Sequence, residues 1–247
     1  MIRCKCYKIL RWTSLWRRAL KKLSLYKYKL LSHFPGRVGH RYRGKLTTRK
    51  TESAMLQFEQ AVKLMEGKTC LDLGANIGNY TRKMALVAEK VIAFEPDPWT
   101  RSMLEVSVSD LTNVQIECAA VGTEDGTAQL FRIETWKEDP VRCSEGSTIV
   151  SGNACIDENK AIEVRLVNFI RYLEELDEDI GIIKIDIEGS EVELLEALFD
   201  RADLLRRIDF VFAETHETMF SNQEQQVNEL RRKAMNIDRP RINLDWH

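Results

Sequence analysis

The first 50 residues contain no aspartate or glutamate, although they hold 16 lysines and arginines. The whole chain is nearly neutral, at −1, so the rest of it carries all 38 acids against the remaining 21 of the 37 basic residues. So sharp a division gives the two parts different neighbours. No run of 18 apolar residues occurs, so no transmembrane helix is expected. The N-terminus has no uninterrupted apolar core ahead of a small-residue cleavage site, so no signal peptide is expected either, which points to the cytoplasm. The six cysteines (Cys4, Cys6, Cys70, Cys118, Cys143 and Cys155) include no Cys-x-x-Cys pair, which argues against a disulfide or zinc framework. Cys70 and Cys118 fall in apolar runs and read as buried. Internal repeats and low-complexity tracts are also missing. What remains, with 44% hydrophobic and 30% charged residues over 247 positions, suits one globular α/β domain with extra pieces.

That domain is organised around residues 70–81, Cys-Leu-Asp-Leu-Gly-Ala-Asn-Ile-Gly-Asn-Tyr-Thr. A short apolar run ends in glycines and leads into a helical segment. Glycines serve there because a Cβ blocks both a tight turn and the close approach of a ligand, and the free N–H groups of a helix start face that ligand. A second apolar run, 91–94, ends in Glu95, 21 positions after Gly74. An acid at about this distance accepts ribose hydroxyls in dinucleotide-type folds. Pro96 and Pro98 stop the strand just beyond it. A third run reads Ile182-Ile183-Lys184-Ile185-Asp186-Ile187-Glu188-Gly189, and a fourth reads Phe210-Val211-Phe212-Ala213-Glu214-Thr215-His216-Glu217. All four end in polar residues, which would converge at one edge of a parallel sheet.

These four stretches, in this order and at these spacings, resemble the FkbM family of S-adenosylmethionine-dependent methyltransferases, over residues from about 56 to the C-terminus. Gly74-x-Asn76-x-Gly78 departs from the Gly-x-Gly-x-Gly of many class I methyltransferases and agrees with the Gly-Ala-Asn form of this family. The resemblance implies a Rossmann-like class I methyltransferase sheet with helices on both faces. The C-terminal end would be abbreviated, because only about 30 residues follow His216. It also implies S-adenosylmethionine as cofactor. Asp72, Gly74, Ala75, Asn76, Gly78 and Asn79 would form its first-turn cradle, Glu95 would hold the ribose, Ala120 would lie by the adenine, and Asp186 would bind the cofactor's ammonium or orient the acceptor. Glu188 and Glu191 read better as early-turn acids favoured by a helix dipole.

Methyl transfer to a hydroxyl needs an aligned acceptor and a proton acceptor. His216 is the first candidate base, since its ordinary pKa lies near neutrality and Glu214 and Glu217 flank it; Asp186 is the second. A Glu/Asp/His group can also hold a divalent metal, but no His-x-x-x-His spacing occurs and no metal is expected. The acceptor expected first is a sugar hydroxyl of a glycan or lipid-linked saccharide, with a small metabolite beside it. Two rivals stay open: an RNA methyltransferase using the basic arm, and a catalytically silent binding subunit.

Two further segments carry expectations. Residues 8–31 read as a basic amphipathic helix with Trp12 and Trp16 on its apolar stripe. It could pack on the domain, lie on the inner face of an anionic membrane, or contact nucleic acid. Residues 37–50 read as a polar connector, which divides the chain into an arm at 1–50 and a methyltransferase domain at 51–247. Residues 134–160 are too long for a structureless connection and read as a substrate loop, with Ser147, Thr148 and Ser151 available to hydroxyls. Residues 114–120 read as a single third strand.

Overall fold

The computed structural model describes residues 36–151, 156–217 and 223–246, together with Lys27, Leu30 and Leu31. The rest of the 8–31 segment therefore lies outside the described residues. The chain divides into two units, Met1–Met55 and Leu56–His247. In the second, six parallel strands form the main sheet, in the order β3-β2-β1-β7-β8-β9. They are β1 (Thr69–Leu73), β2 (Lys90–Phe94), β3 (Val114–Glu117), β7 (Ile180–Ile185), β8 (Ile208–Glu214) and β9 (Arg241–Trp246). Helices flank this Rossmann-like sheet: α2 (Asn79–Ala85), α3 (Pro98–Ser107), α5 (Phe169–Leu176), α6 (Glu191–Phe199), α7 (Ala202–Leu205) and α8 (Glu224–Ala234). Every residue of β1 and β7 is buried, as expected of strands covered on both faces, and hence both read as near-continuous apolar runs. β1 and β7 are neighbours although far apart in sequence, so the strand order reverses between them. The crevice outside such a switch point is where open α/β sheets take ligands.

Local chemistry explains the boundaries. The Asp97 carboxylate accepts the N–H groups of Trp99 and Thr100 and starts α3, with Pro98 in its first turn. Asn168 caps α5, accepting from Arg171 N, and α5 buries Phe169 and Leu173.

Three expectations are corrected. Residues 37–50 are not a connector: one helix, α1 (Gly36–Val62), runs through them. Its interior glycines cost only about 1 kcal/mol each relative to alanine, and no proline interrupts it. The stretch 114–120 is not one strand. It breaks at Cys118-Ala119, and β4 (Ala120–Gly122) joins a second sheet with β6 (Ile162–Asn168) and β5 (Gly126–Leu130), in the order β4-β6-β5. Cys118, expected to be buried, is exposed at this break, whereas Cys70 is buried. The C-terminal end is closed by β9, parallel to β8, and its Trp246 packs with Phe58, Tyr80 and Phe212. Among the described residues, no helix is long and apolar enough to cross a membrane.

Candidate active site

A cavity of about 450 Å³ opens at the carboxyl ends of the central strands. Of the residues singled out from sequence, Gly74, Ala75, Asn76, Asn79, Glu95, Ala120, Asp186 and His216 line it. Asp72 and Gly78 do not, and each has a visible structural task. Asp72 is fully buried, accepts the Thr81 hydroxyl at 2.6 Å and lies 3.3 Å from Lys184 Nζ. Gly78 has φ 92°, and a Cβ there would stand 2.7 Å from Leu104 Cδ1, so it lets α2 approach α3.

The first turn is held from three sides. Gly74 N and Ala75 N both donate to Phe94 O, at 3.1 and 2.9 Å. Gly74 has φ 76°, and a Cβ on it would fall 1.7 Å from Asp186 O, which demands glycine. Asn76 takes the left-handed conformation at φ 50°, and its Oδ1 accepts from Ile77 N and from Ser144 Oγ.

Glu95 is buried beside this turn. Its Oε2 accepts Asn76 N and its Oε1 accepts Asp97 N, each at 2.9 Å. Burial pushes its pKa up to about 7 despite these two backbone bonds. Each carboxylate oxygen keeps a further acceptor position, and the residue lines the cavity.

His216 dominates the other end. Its Nδ1 lies 3.0 Å from Glu191 Oε1, and its Nε2 lies 3.2 Å from Glu188, 3.7 Å from Glu214 and 4.0 Å from Asp186. Burial alone would favour the neutral ring. The bond to Glu191 and the charges of Glu191, Glu188 and Asp186 outweigh it and raise the pKa to about 10. The ring is therefore a cation near neutral pH, not the free base its ordinary pKa suggests. For Glu188 burial works the other way and raises the pKa to about 8, against the pull of His216. Glu217 turns away to pair with Arg231 at 2.8 Å.

Four contributors escaped sequence reasoning. Lys184, 1% exposed, donates to Gly74 O at 2.8 Å and lies 3.3 Å from both Asp72 and Asp186. Glu188 lines the cavity and Glu191 orients His216, so neither is merely a helix-dipole acid. Ser144 comes from α4 (Pro140–Cys143) and the turn after it, in the long 134–160 segment. That segment also brings Glu145, Ser147 and Ile149 to the cavity. Thr148 instead donates to Glu188 O, and Ser151 is exposed. The visible signal was Lys184 itself, a lysine inside a fully apolar run.

A parallel sheet with this glycine turn, this acid after the second strand and polar groups gathered at the switch point defines a Rossmann-like class I methyltransferase domain. Residues 72–236 match the model of the methyltransferase FkbM domain. The chain belongs to the FkbM methyltransferase family. Among solved structures, it is similar to the methyltransferase FkbM from Methylobacillus flagellatus KT, with 17% identity and a TM-score of 0.34. The match covers 54% of this chain and 29% of that one, so this chain spans less than a third of that protein's length. No curated protein matches.

Proposed function

We propose that the chain transfers the methyl group of S-adenosylmethionine to a hydroxyl oxygen, first of all on a saccharide. The observation that carries this reading is the polarity of one cavity: a buried acid, Glu95, beside the glycine turn at one end, and an acidic cluster with His216 at the other. The fit to the cofactor rests on Glu95, whose two oxygens suit the adjacent hydroxyls of a ribose and whose buried charge such donors would stabilise. Gly74, Ala75, Asn76 and Asn79 would hold the methionine part, and Ala120 leaves space for a flat ring. When bound, the cofactor supplies a methyl group on a sulfonium, which is already a good leaving group.

The chain's own residues would do the rest. Lys184 fixes the Gly74 carbonyl and the Asp186 carboxylate in one arrangement. Asp186 faces the cavity and would take the acceptor's proton. His216, held as a cation, would orient the acceptor oxygen rather than serve as the resting base. A need for proton removal favours hydroxyl acceptors, and Ser144 and Ser147 in the wall favour one with several hydroxyls. The test is mass spectrometry of glycans and lipids from cells with and without the gene. A methyl increment lost from a saccharide supports the reading; identical methylation of every saccharide refutes the saccharide assignment.

A further inference from the structure

We propose that the acidic end of the cavity is a binding site for one hard divalent cation, with Asp186, Glu188 and His216 as its protein ligands. An oxygen of each carboxylate and a nitrogen of the imidazole lie within 4.8 Å of one another. Bonds of about 2.0–2.6 Å from hard cations to oxygen allow donors on one ion to stand up to about 4–5 Å apart. All three side chains line the cavity, so an ion there would be reached from it.

A second observation concerns how the histidine is held. Nδ1 is bonded to Glu191, which is fully buried and also accepts the N–H groups of Ile187 and Gly189. This fixes the ring with Nε2 toward Glu188 and Asp186. A carboxylate on one imidazole nitrogen is the usual support of a metal-bound histidine, whose other nitrogen carries the ion. The 186–189 segment is pinned as well: Thr148 Oγ1 donates to Glu188 O and Gln223 Nε2 to Gly189 O. The donors are thus set before any ion arrives.

Charge points the same way. Asp186, Glu188, Glu191 and Glu214 each bring an oxygen within 4.0 Å of a His216 nitrogen. Lys184 lies 3.3 Å from Asp186 but is shared with Asp72. Negative charge gathered in a half-buried site is costly until matched, and a divalent cation matches it. One nitrogen with carboxylate oxygens, and no cysteine among the described residues of the wall, suits Mg²⁺ or Mn²⁺ rather than a thiolate-seeking metal. The role of the ion rests on the methyl-transfer reading above, although its binding does not. Coordination positions facing the cavity would take the acceptor hydroxyl and a neighbouring oxygen, lowering the pKa of the former. That selects acceptors with adjacent oxygens, such as vicinal diols.

The test uses the full chain, stripped with EDTA and titrated with Mn²⁺ in the absence of any methyl donor, with free Mn²⁺ read by electron paramagnetic resonance. One bound equivalent is expected. Glu191→Gln should weaken binding about 10–100-fold, the range for a supporting residue. Asp186→Asn and His216→Gln should weaken it at least as much, and the exposed Glu163→Gln should not change it. Circular dichroism of each variant identifies any that fails to fold, and the wild-type titration stands without them. No wild-type site tighter than about 1 mM, the weak end for biological cation sites, overturns the proposal, as does unchanged binding in both folded ligand variants. Calorimetry with S-adenosylmethionine on the same protein separates the two readings. Cofactor binding without Mn²⁺ binding rejects the ion alone; Mn²⁺ binding without cofactor binding keeps the ion and rejects the cofactor assignment.

Discussion

Lys184 Nζ donates to the Gly74 carbonyl over 2.8 Å, so β7 and the turn after β1 are tied by a buried cation. The same nitrogen lies 3.3 Å from Asp72, which is fully buried, and 3.3 Å from Asp186, which faces the cavity. Burial works against the charged lysine, but Asp72 and Asp186 outweigh it and hold its pKa above the ordinary value. Lys184→Met leaves Asp72 without its cation. It should cost about 3–5 kcal/mol, the range for breaking a buried pair, measured by urea denaturation. Adding Asp72→Asn should restore part of that loss. A single-variant loss below about 1 kcal/mol, the level of an exposed pair, would contradict this account.

Two glycines with similar backbones should respond differently. Gly67 and Gly74 have φ 67° and 76°, but a Cβ at Gly67 meets nothing within 4 Å, whereas at Gly74 it falls 1.7 Å from Asp186 O. Gly67→Ala should cost about 1–2 kcal/mol, the left-handed penalty alone. Gly74→Ala must also move β7 or the turn and should cost clearly more, together with ligand binding at the cavity. Equal losses in thermal unfolding would show that the close approach is not maintained.

Turnover should separate from folding at the acidic end. Asp186→Asn should lower methyl transfer about 10²–10⁴-fold, the range for loss of a general base, while the protein stays folded by circular dichroism. Radiolabelled methyl transfer to the acceptor found by mass spectrometry is the measurement. Wild-type turnover in Asp186→Asn would place proton removal on another residue.

The arm yields a separate prediction, read from sequence because residues 8–31 lie almost wholly outside the described positions. Sixteen basic residues without an acid should draw the chain to anionic lipid, at about 1 kcal/mol per basic residue near the surface. Vesicle co-sedimentation should show salt-sensitive binding of the full chain to anionic but not neutral vesicles, lost in a protein beginning at Thr51. Indifference to anionic vesicles with tight RNA binding would favour nucleic acid instead.

Much of this site was legible because parallel strands deliver their last residues to one edge. Gly74, Glu95 and Asp186 each follow an apolar run directly, and the fold gathers them at the cavity. What escaped depends on distance in sequence. Ser144 reaches Asn76 across 68 positions and Glu191 reaches His216 across 25, and no local pattern announces such pairs. The raised pKa of His216 was hidden for the same reason, since Glu191, Glu188 and Asp186 from separate positions set it. The break of 114–120 into β3 and β4 has no glycine or proline to mark it. It is decided by which sheet each half joins, which is tertiary information.

The central claim is that S-adenosylmethionine binds this cavity through the first turn and Glu95, and calorimetry of the full chain tests it most directly. Glu95 has its pKa raised by burial to about 7, and ribose hydroxyls donate best to the ionised form. Affinity should thus be fully present above about pH 7 and fall by about tenfold per unit below it. Glu95→Gln should bind about 1–3 kcal/mol more weakly at pH 8, the range for a bond to a charged group, and lose the pH slope. One-to-one binding with that slope in the wild type and a weak, flat profile in Glu95→Gln is the expected result. No binding by the wild type, or the same affinity in both proteins at every pH, would contradict the account.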